Sequence, residues 1–312
     1  MTIKYLVISG GGPAGMITYG AIRDLAKANF WKLTDLEGIY GCSIGAYISI
    51  VISLGYAWEW LDDYFIRRPW EKIAAITAET LFAAFADKGL FDEKLMGEAL
   101  NPLLSAIGLD PVTCTMADLF AFTGIDIHLY TTNINTPLLE KVDISHKTHP
   151  LLLVIKAVCM SSAYPFLFKP VFLNSEAEGS CGGCFIDGGL LNNYPLNDCL
   201  VNADSPDNIL AFKNIWVYDI PILNNASSVI DFLMTIVQKM QKYIDTSPQQ
   251  AKVKNTVECI IEDLNDFTAW AKALSTEERR TAFVQKGAEY AKNFLDSILD
   301  NSKIESPAHY NL

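Results

Sequence analysis

The chain has 312 residues, of which 50% are hydrophobic, 19% charged and 11% aromatic. That composition suits a globular protein with a large buried core, either one α/β domain or a domain with an extension. A formal net charge of −12 argues against a nucleic-acid partner and leaves any membrane contact to local apolar groups rather than long-range attraction.

In chain order, residues 5–9 read as a buried strand running into "GGGPAG" and then a helix over about 14–29. Residues 36–40 are a second apolar run, followed at once by "GCSIG" and another apolar helix. The uncharged stretch 38–58 is long enough to cross a bilayer by count, but its four glycines divide it into strand, turn and buried helix. Residues 58–90 are aromatic and helical in period. "FTGIDIHLYTTNINT" (122–136) alternates Ile125, Ile127 and Leu129 against Asp126, His128 and Tyr130, as a strand does. A helix over 150–161 and a polar glycine loop over 174–183 follow, and "CFID" (184–187) and "NIWVYDI" (214–220) read as the last strands. Beyond Pro221, residues 227–245 and 276–300 carry apolar residues at helical spacing between charges, the pattern of amphipathic helices packed on a core.

Strand, glycine turn and helix, repeated, predict an α/β fold with a mainly parallel sheet. No signal peptide precedes the first strand, so a cytoplasmic protein is expected. Seven scattered cysteines make no disulfide framework and fit a reducing compartment. Cys181 and Cys184, in "CGGC", have the spacing of a metal or redox pair, but no second pair at finger-like spacing completes a zinc site. No metal is expected.

The opening glycines have two readings. "GGGPAG" after a strand fits a dinucleotide fingerprint, and equally a bed of backbone N–H groups for a transient anion. A dinucleotide needs an acidic residue about 20 positions on, at the carboxyl end of the second strand. Asp35 and Glu37 lie near that distance but precede "GIYG", at the wrong end. The right end holds "GCSIG", a G-x-S-x-G between strand and helix. Ser43 is then either an exposed nucleophile at a helix N-terminus or a simple helix cap. In "FIDGGLLNNYP", Asp187 ends an apolar strand, as a base or as part of an Asp-Gly turn. Three such glycine-flanked turns are expected to converge on one edge of a parallel sheet.

Taken in order, "ISGGGPAGMITYGAIRDL", "GCSIGA" and "FIDGGLLNNYP" resemble the patatin-like phospholipases, whose pattern is G-G-G-x-R/K-G, G-x-S-x-G and D-G-G/A. "GLFDEKLMGEAL", "LYTTNINT" and "CMSSAYPFLFKPV" are similar to secondary segments of that family, and the resemblance covers roughly residues 3–223. It implies a three-layer α/β/α catalytic domain over 1–223 with a helical extension over 224–312. It also implies a serine–aspartate dyad, with Ser43 as nucleophile and Asp187 as base. The oxyanion hole would be drawn from Gly10, Gly11, Gly12 and Ile44, and Gly15, Gly41, Gly45, Gly188 and Gly189 are the motif glycines. A phospholipid or other acyl lipid is the implied substrate, with peripheral membrane contact and no cofactor.

One position departs from the pattern: Ala14 stands where the family usually has Arg or Lys, and Pro13 supplies no N–H. Two alternatives therefore remain beside the lipid acyl hydrolase. One is a flavin- or NAD-binding oxidoreductase using the glycine loop, and the other a catalytically silent scaffold that binds lipid or protein. Of the four histidines, His128 reads as a sheet residue and His146 and His149 as loop residues, while His309 lies near the C-terminus. The aromatic segment 56–70 is either a lid touching lipid or a helix packed on the core.

Overall fold

Four consecutive buried residues, Tyr5–Ile8, form β1, and five more, Gly38–Cys42, form β2. Strands buried on both faces belong inside a sheet covered by helices on both sides. The two pair in parallel, Tyr5 opposite Gly38 and Ile8 opposite Gly41. Each runs into a buried helix, α1 (Gly15–Lys27) after β1 and α2 (Ile44–Ser53) after β2. The computed structural model describes residues 2–73, 84, 86–174, 182–217, 222–245, 250–262, 264 and 267–304.

The following elements are α3 (Trp58–Asp62), α4 (Trp70–Ile73), β3 (Gly89–Phe91), α5 (Glu93–Ala106), α6 (Met116–Thr123), β4 (Asp126–Asn133) and β5 (Glu140–Ile144). Then come α7 (Val154–Ser162), β6 (Phe166–Phe168), β7 (Val171–Leu173), β8 (Gly183–Asp187), α8 (Gly189–Asn192) and α9 (Leu196–Asn202). The chain continues through β9 (Ile209–Trp216), α10 (Val229–Asp245), β10 (Thr256–Ile261), α11 (Phe267–Ala273) and α12 (Glu277–Ile304). The main sheet runs β10-β9-β1-β2-β4-β8-β7, with β5 also on β4, and β3 pairs with β6 apart from it. From β10 to β4 every pairing is parallel.

Alternate side chains of the central strands serve opposite layers. Leu6, Ile8, Leu210 and Phe212 join Ile17, Ile22 and Ile48 in the larger core, whereas Tyr5, Val7, Ile209 and Ala211 meet Leu196 and Cys199 of α9 on the other face. The result is a three-layer α/β/α arrangement. α12 lies against α1 backbone to backbone: a Cβ on Gly20 would meet the Val284 carbonyl oxygen at 2.1 Å, and one on Gly287 the Ile17 oxygen at 2.0 Å.

Five strands lie outside the expected set, the short β3, β5, β6 and β7 and the edge strand β10. Residues 89–91, within the stretch of helical period, form β3, and the sheet extends past β9 to β10, paired Thr256 to Ala211 and Ile261 to Trp216. Residues 224–312 thus supply a sheet strand as well as helices. Among the described residues no helix is long and apolar enough to cross a membrane.

The third glycine turn arrives differently from the parallel convergence expected of it. β5 takes Leu129–Asn133 on one edge of β4, so β2, opposite residues 126–130, and β8, opposite 131–133, share the other edge. β8 is antiparallel, and the two strands run toward each other. β2 ends with Cys42 opposite Tyr130, and β8 ends with Asp187 opposite Thr131. The residues that follow one end and close the other are forced together.

Candidate active site

Ser43 occupies the turn between β2 and α2 at φ 55° and ψ −125°, a backbone state that L-residues adopt at a cost. The motif glycines make this turn possible by allowing close approach. A Cβ on Gly41 would lie 2.4 Å from Ser49 Oγ, and one on Gly45 would lie 2.3 Å from the Ile8 carbonyl oxygen. Likewise Gly15 accepts the Ile44 side chain and Gly188 the Tyr130 carbonyl oxygen, where a Cβ would clash at 2.2 and 2.1 Å. Ser43 N–H donates to Ser161 Oγ (3.0 Å), whose own hydroxyl donates to the Tyr130 carbonyl oxygen (2.7 Å).

The Ser43 hydroxyl donates to Asp187 Oδ2 over 2.6 Å, and Gly189 N–H donates to Asp187 Oδ1 over 2.7 Å. The backbone around Asp187 is tied to the end of α7, with Asp187 N–H donating to the Ala163 oxygen and Gly188 N–H to the Ser161 oxygen. One corner, Ser161 to Ala163, therefore braces both the serine turn and the aspartate. Asp187 is only 2% exposed. Burial pushes its carboxyl up to about 6, against the opposing pull of the Ser43 and Gly189 hydrogen bonds. Above that pH it is a carboxylate placed to take the serine proton.

The glycine loop is fixed at its first residue. Gly10 N–H donates to the Asn193 carbonyl oxygen (3.0 Å), and the Gly10 oxygen accepts from Asn214 Nδ2 (3.0 Å). Of the expected oxyanion set, Gly10 thus has its N–H engaged and does not line the cleft. Gly11, Gly12 and Ile44 do line it. No hydrogen bond among the described residues uses the N–H of Gly11 or Gly12. Ile44 is the first residue of α2, where an N–H has no intrahelical acceptor. Ala14, at the position of the usual loop cation, is fully buried in the larger core.

The cleft encloses about 510 Å³ and contains both Ser43 and Asp187. Its walls are mostly apolar, with Met16, Phe65, Met96, Leu167, Trp216 and Trp270 among them. Within segment 56–70, Leu61, Tyr64 and Phe65 are buried, and the rings of Tyr56, Trp60 and Tyr64 stack in succession at 4.5 and 5.5 Å. That segment is packed on the core.

Among the described residues no histidine lines the cleft. His128 stacks on Tyr40 (4.5 Å) and lies 2.8 Å from Asp143, while His146 stacks on Phe120 (3.6 Å). His309 and Cys181 lie outside the described residues, and Cys184 is buried on β8. Glu37, considered for a ribose, sits at the amino end of β2, where it pairs with Lys4 (2.8 Å) and accepts from the Tyr5 hydroxyl (2.8 Å). Asn193, Asn214 and Ser161 are site residues that sequence reasoning did not single out. Asn193 and Ser161 lie inside quoted motifs, but Asn214 has no local signal, since its partner Gly10 is 204 positions away.

A family model for patatin-like phospholipases matches residues 6–200. An uncharacterised protein of Acanthamoeba polyphaga mimivirus is 25% identical over 263 residues, 78% of this chain and 82% of that protein. A protein of Invertebrate iridescent virus 6, named as a probable lipid hydrolase, is 24% identical over 196 residues, 62% of each chain. Among solved structures, VipD from Legionella pneumophila shares the fold at TM-score 0.56 and 15% identity, over 95% of this chain and 67% of VipD. Through the family match over most of the sheet and all three glycine turns, the chain belongs to the patatin-like phospholipase family.

Proposed function

We propose that this protein hydrolyses carboxylic esters of lipids through an acyl-enzyme, with Ser43 as nucleophile and Asp187 as base. The observation that carries this reading is the 2.6 Å hydrogen bond from Ser43 Oγ to Asp187 Oδ2 in the lining of a mostly apolar cleft. As Oγ attacks the ester carbonyl carbon, its proton passes to Asp187, and the carbonyl oxygen takes the negative charge. The N–H groups of Gly11, Gly12 and Ile44 are the donors for that oxyanion, and such donors contribute about 3 kcal/mol each to a transition state. Collapse of the tetrahedral intermediate breaks the ester C–O bond, and the departing alkoxide recovers the proton from Asp187. Water then attacks the acyl-serine, gives its proton to the same carboxylate, and the fatty acid leaves as Ser43 is restored. The acyl chain has the aromatic and aliphatic walls of the cleft for its surface.

The test is covalent labelling by a fluorophosphonate, together with hydrolysis of a phosphatidylcholine and of a soluble short-chain ester. Wild type is expected to label and to hydrolyse both substrates, and Ser43→Ala to do neither. Hydrolysis by Ser43→Ala above about a few per cent of wild type would remove the serine from its role.

A further inference from the structure

We propose that the outer face of α10, the helix whose inner face lines the cleft, docks this protein on a lipid bilayer. This rests on the hydrolase reading of the cleft. The inner face of α10 is committed to the fold and the site. Met234 is buried with Tyr164 and Leu167, Ile230 and Val237 pack beside them, and Gln238, Gln241 and Lys242 line the cleft.

The opposite face is apolar and open. Val229 is 56% exposed, Phe232 50%, Ile236 40% and Met240 43%. Their spacing of three, four and four places them on one stripe of the helix, which Tyr243, also exposed, extends by a further turn. Ile222, in the chain leading to the helix, is 93% exposed. Large apolar side chains concentrated on one element mark a binding surface, unlike the same residues scattered singly.

Three observations select a bilayer as the occupant. The stripe and the cleft lining belong to one helix, whose full width is about 10 Å, so a bilayer on the stripe lies about one helix width from the site. Lys239 is exposed beside the stripe, where its stem can lie along lipid while the ammonium group reaches the headgroups. Third, a strip four side chains long on a helix of about 25 Å is narrow for the roughly 800 Å² per partner of a stable protein dimer. With a net charge of −12, attraction to anionic lipid is not the driving force, so the contact is apolar and needs only zwitterionic lipid.

The experiment uses the full chain carrying Ser43→Ala, so that vesicles survive, and co-sedimentation with phosphatidylcholine vesicles at low and high salt. Binding is expected at both salt concentrations. The added substitutions Phe232→Gln, Ile236→Gln and Met240→Gln, none lining the cleft, are expected to weaken it at least about tenfold. With Ser43 restored, the same triple variant is expected to hydrolyse a soluble short-chain ester at the wild-type rate, which also verifies its folding. The proposal is overturned if the parent does not sediment with vesicles or if the triple variant binds as the parent does. It is also overturned if the parent is a dimer in solution that the triple variant converts to monomer. Failure of the wild-type chain to hydrolyse the soluble ester would instead remove the hydrolase reading, while the vesicle result stood by itself.

Discussion

The Asn214 side-chain amide donates to the Gly10 carbonyl oxygen over 3.0 Å, immediately before Gly11 and Gly12, which line the cleft. Asn214 is itself held on two further sides, its N–H donating to Ser9 Oγ (3.0 Å) and its Oδ1 accepting from Thr18 Oγ1 (3.1 Å). This buried side chain therefore anchors the peptide that leads into Gly11 and Gly12, the donors of the proposed oxyanion hole. Asn214→Ala is expected to lower kcat on a soluble ester by about tenfold or more with little change in KM, because the donors act on the transition state. It leaves buried polar partners unsatisfied, so a stability loss of about 1–3 kcal/mol should accompany it. An unchanged kcat beside that loss would make Asn214 a structural residue only.

What the sequence discloses follows from how local each constraint is. Ser43 and Asp187 are 144 positions apart, yet each is marked by its own strand-end glycine turn, and those marks are legible one at a time. Which N–H group of the glycine run is already engaged is not a local property, since the Asn193 carbonyl that takes the Gly10 N–H comes from a distant part of the chain. The head-on approach of β8 to β2 is hidden for the same reason, as it depends on both strands sharing one edge of β4. β10 escapes notice because its six residues, interrupted by Glu258, show their role only when paired with β9. In segment 56–70 residue type alone left lid and packing open; Leu61, Tyr64 and Phe65 are buried in the core, and Phe65 and Trp70 also line the cleft.

A serine–aspartate dyad predicts indifference to every histidine. His128, His146 and His149 all stand away from the cleft lining, and His309 lies outside the described residues. His128→Gln, His146→Ala, His149→Ala and His309→Ala are each expected to keep kcat on a soluble ester within about threefold of wild type. A loss as deep as that of Ser43→Ala in any one of them would mean that a histidine carries the proton.

His128 should instead report in stability. Burial lowers its pKa, but the carboxylates of Asp126 and Asp143 outweigh that and hold the imidazolium up to about 9, against an ordinary value of 6.5. Over that interval the folded protein keeps a proton that the unfolded chain releases, so stability is full below the lower value and falls as pH rises through the higher. The loss is on the order of 3 kcal/mol. Melting temperatures measured across this range should decline in wild type and stay flatter in His128→Gln. Parallel declines in the two proteins would show that His128 is not the titrating group.

Asp187 links activity and stability in opposite senses. Burial raises its carboxyl to about 6, from an ordinary 3.8. A base must be ionised, so kcat/KM on a soluble ester should rise about tenfold per pH unit below that value and level off above it. Stability runs the other way. Between the two pKa values the folded protein holds a proton that the unfolded chain has lost, so wild type loses on the order of 2–3 kcal/mol as pH climbs through the window. Asp187→Asn has no such proton to lose, and its side-chain oxygen still accepts from Gly189 N–H. Near neutral pH the variant should therefore melt no lower than wild type, while its kcat falls by about two orders of magnitude or more. Hydrolysis surviving in a well-folded Asp187→Asn protein would show that Ser43 gives its proton to some other group.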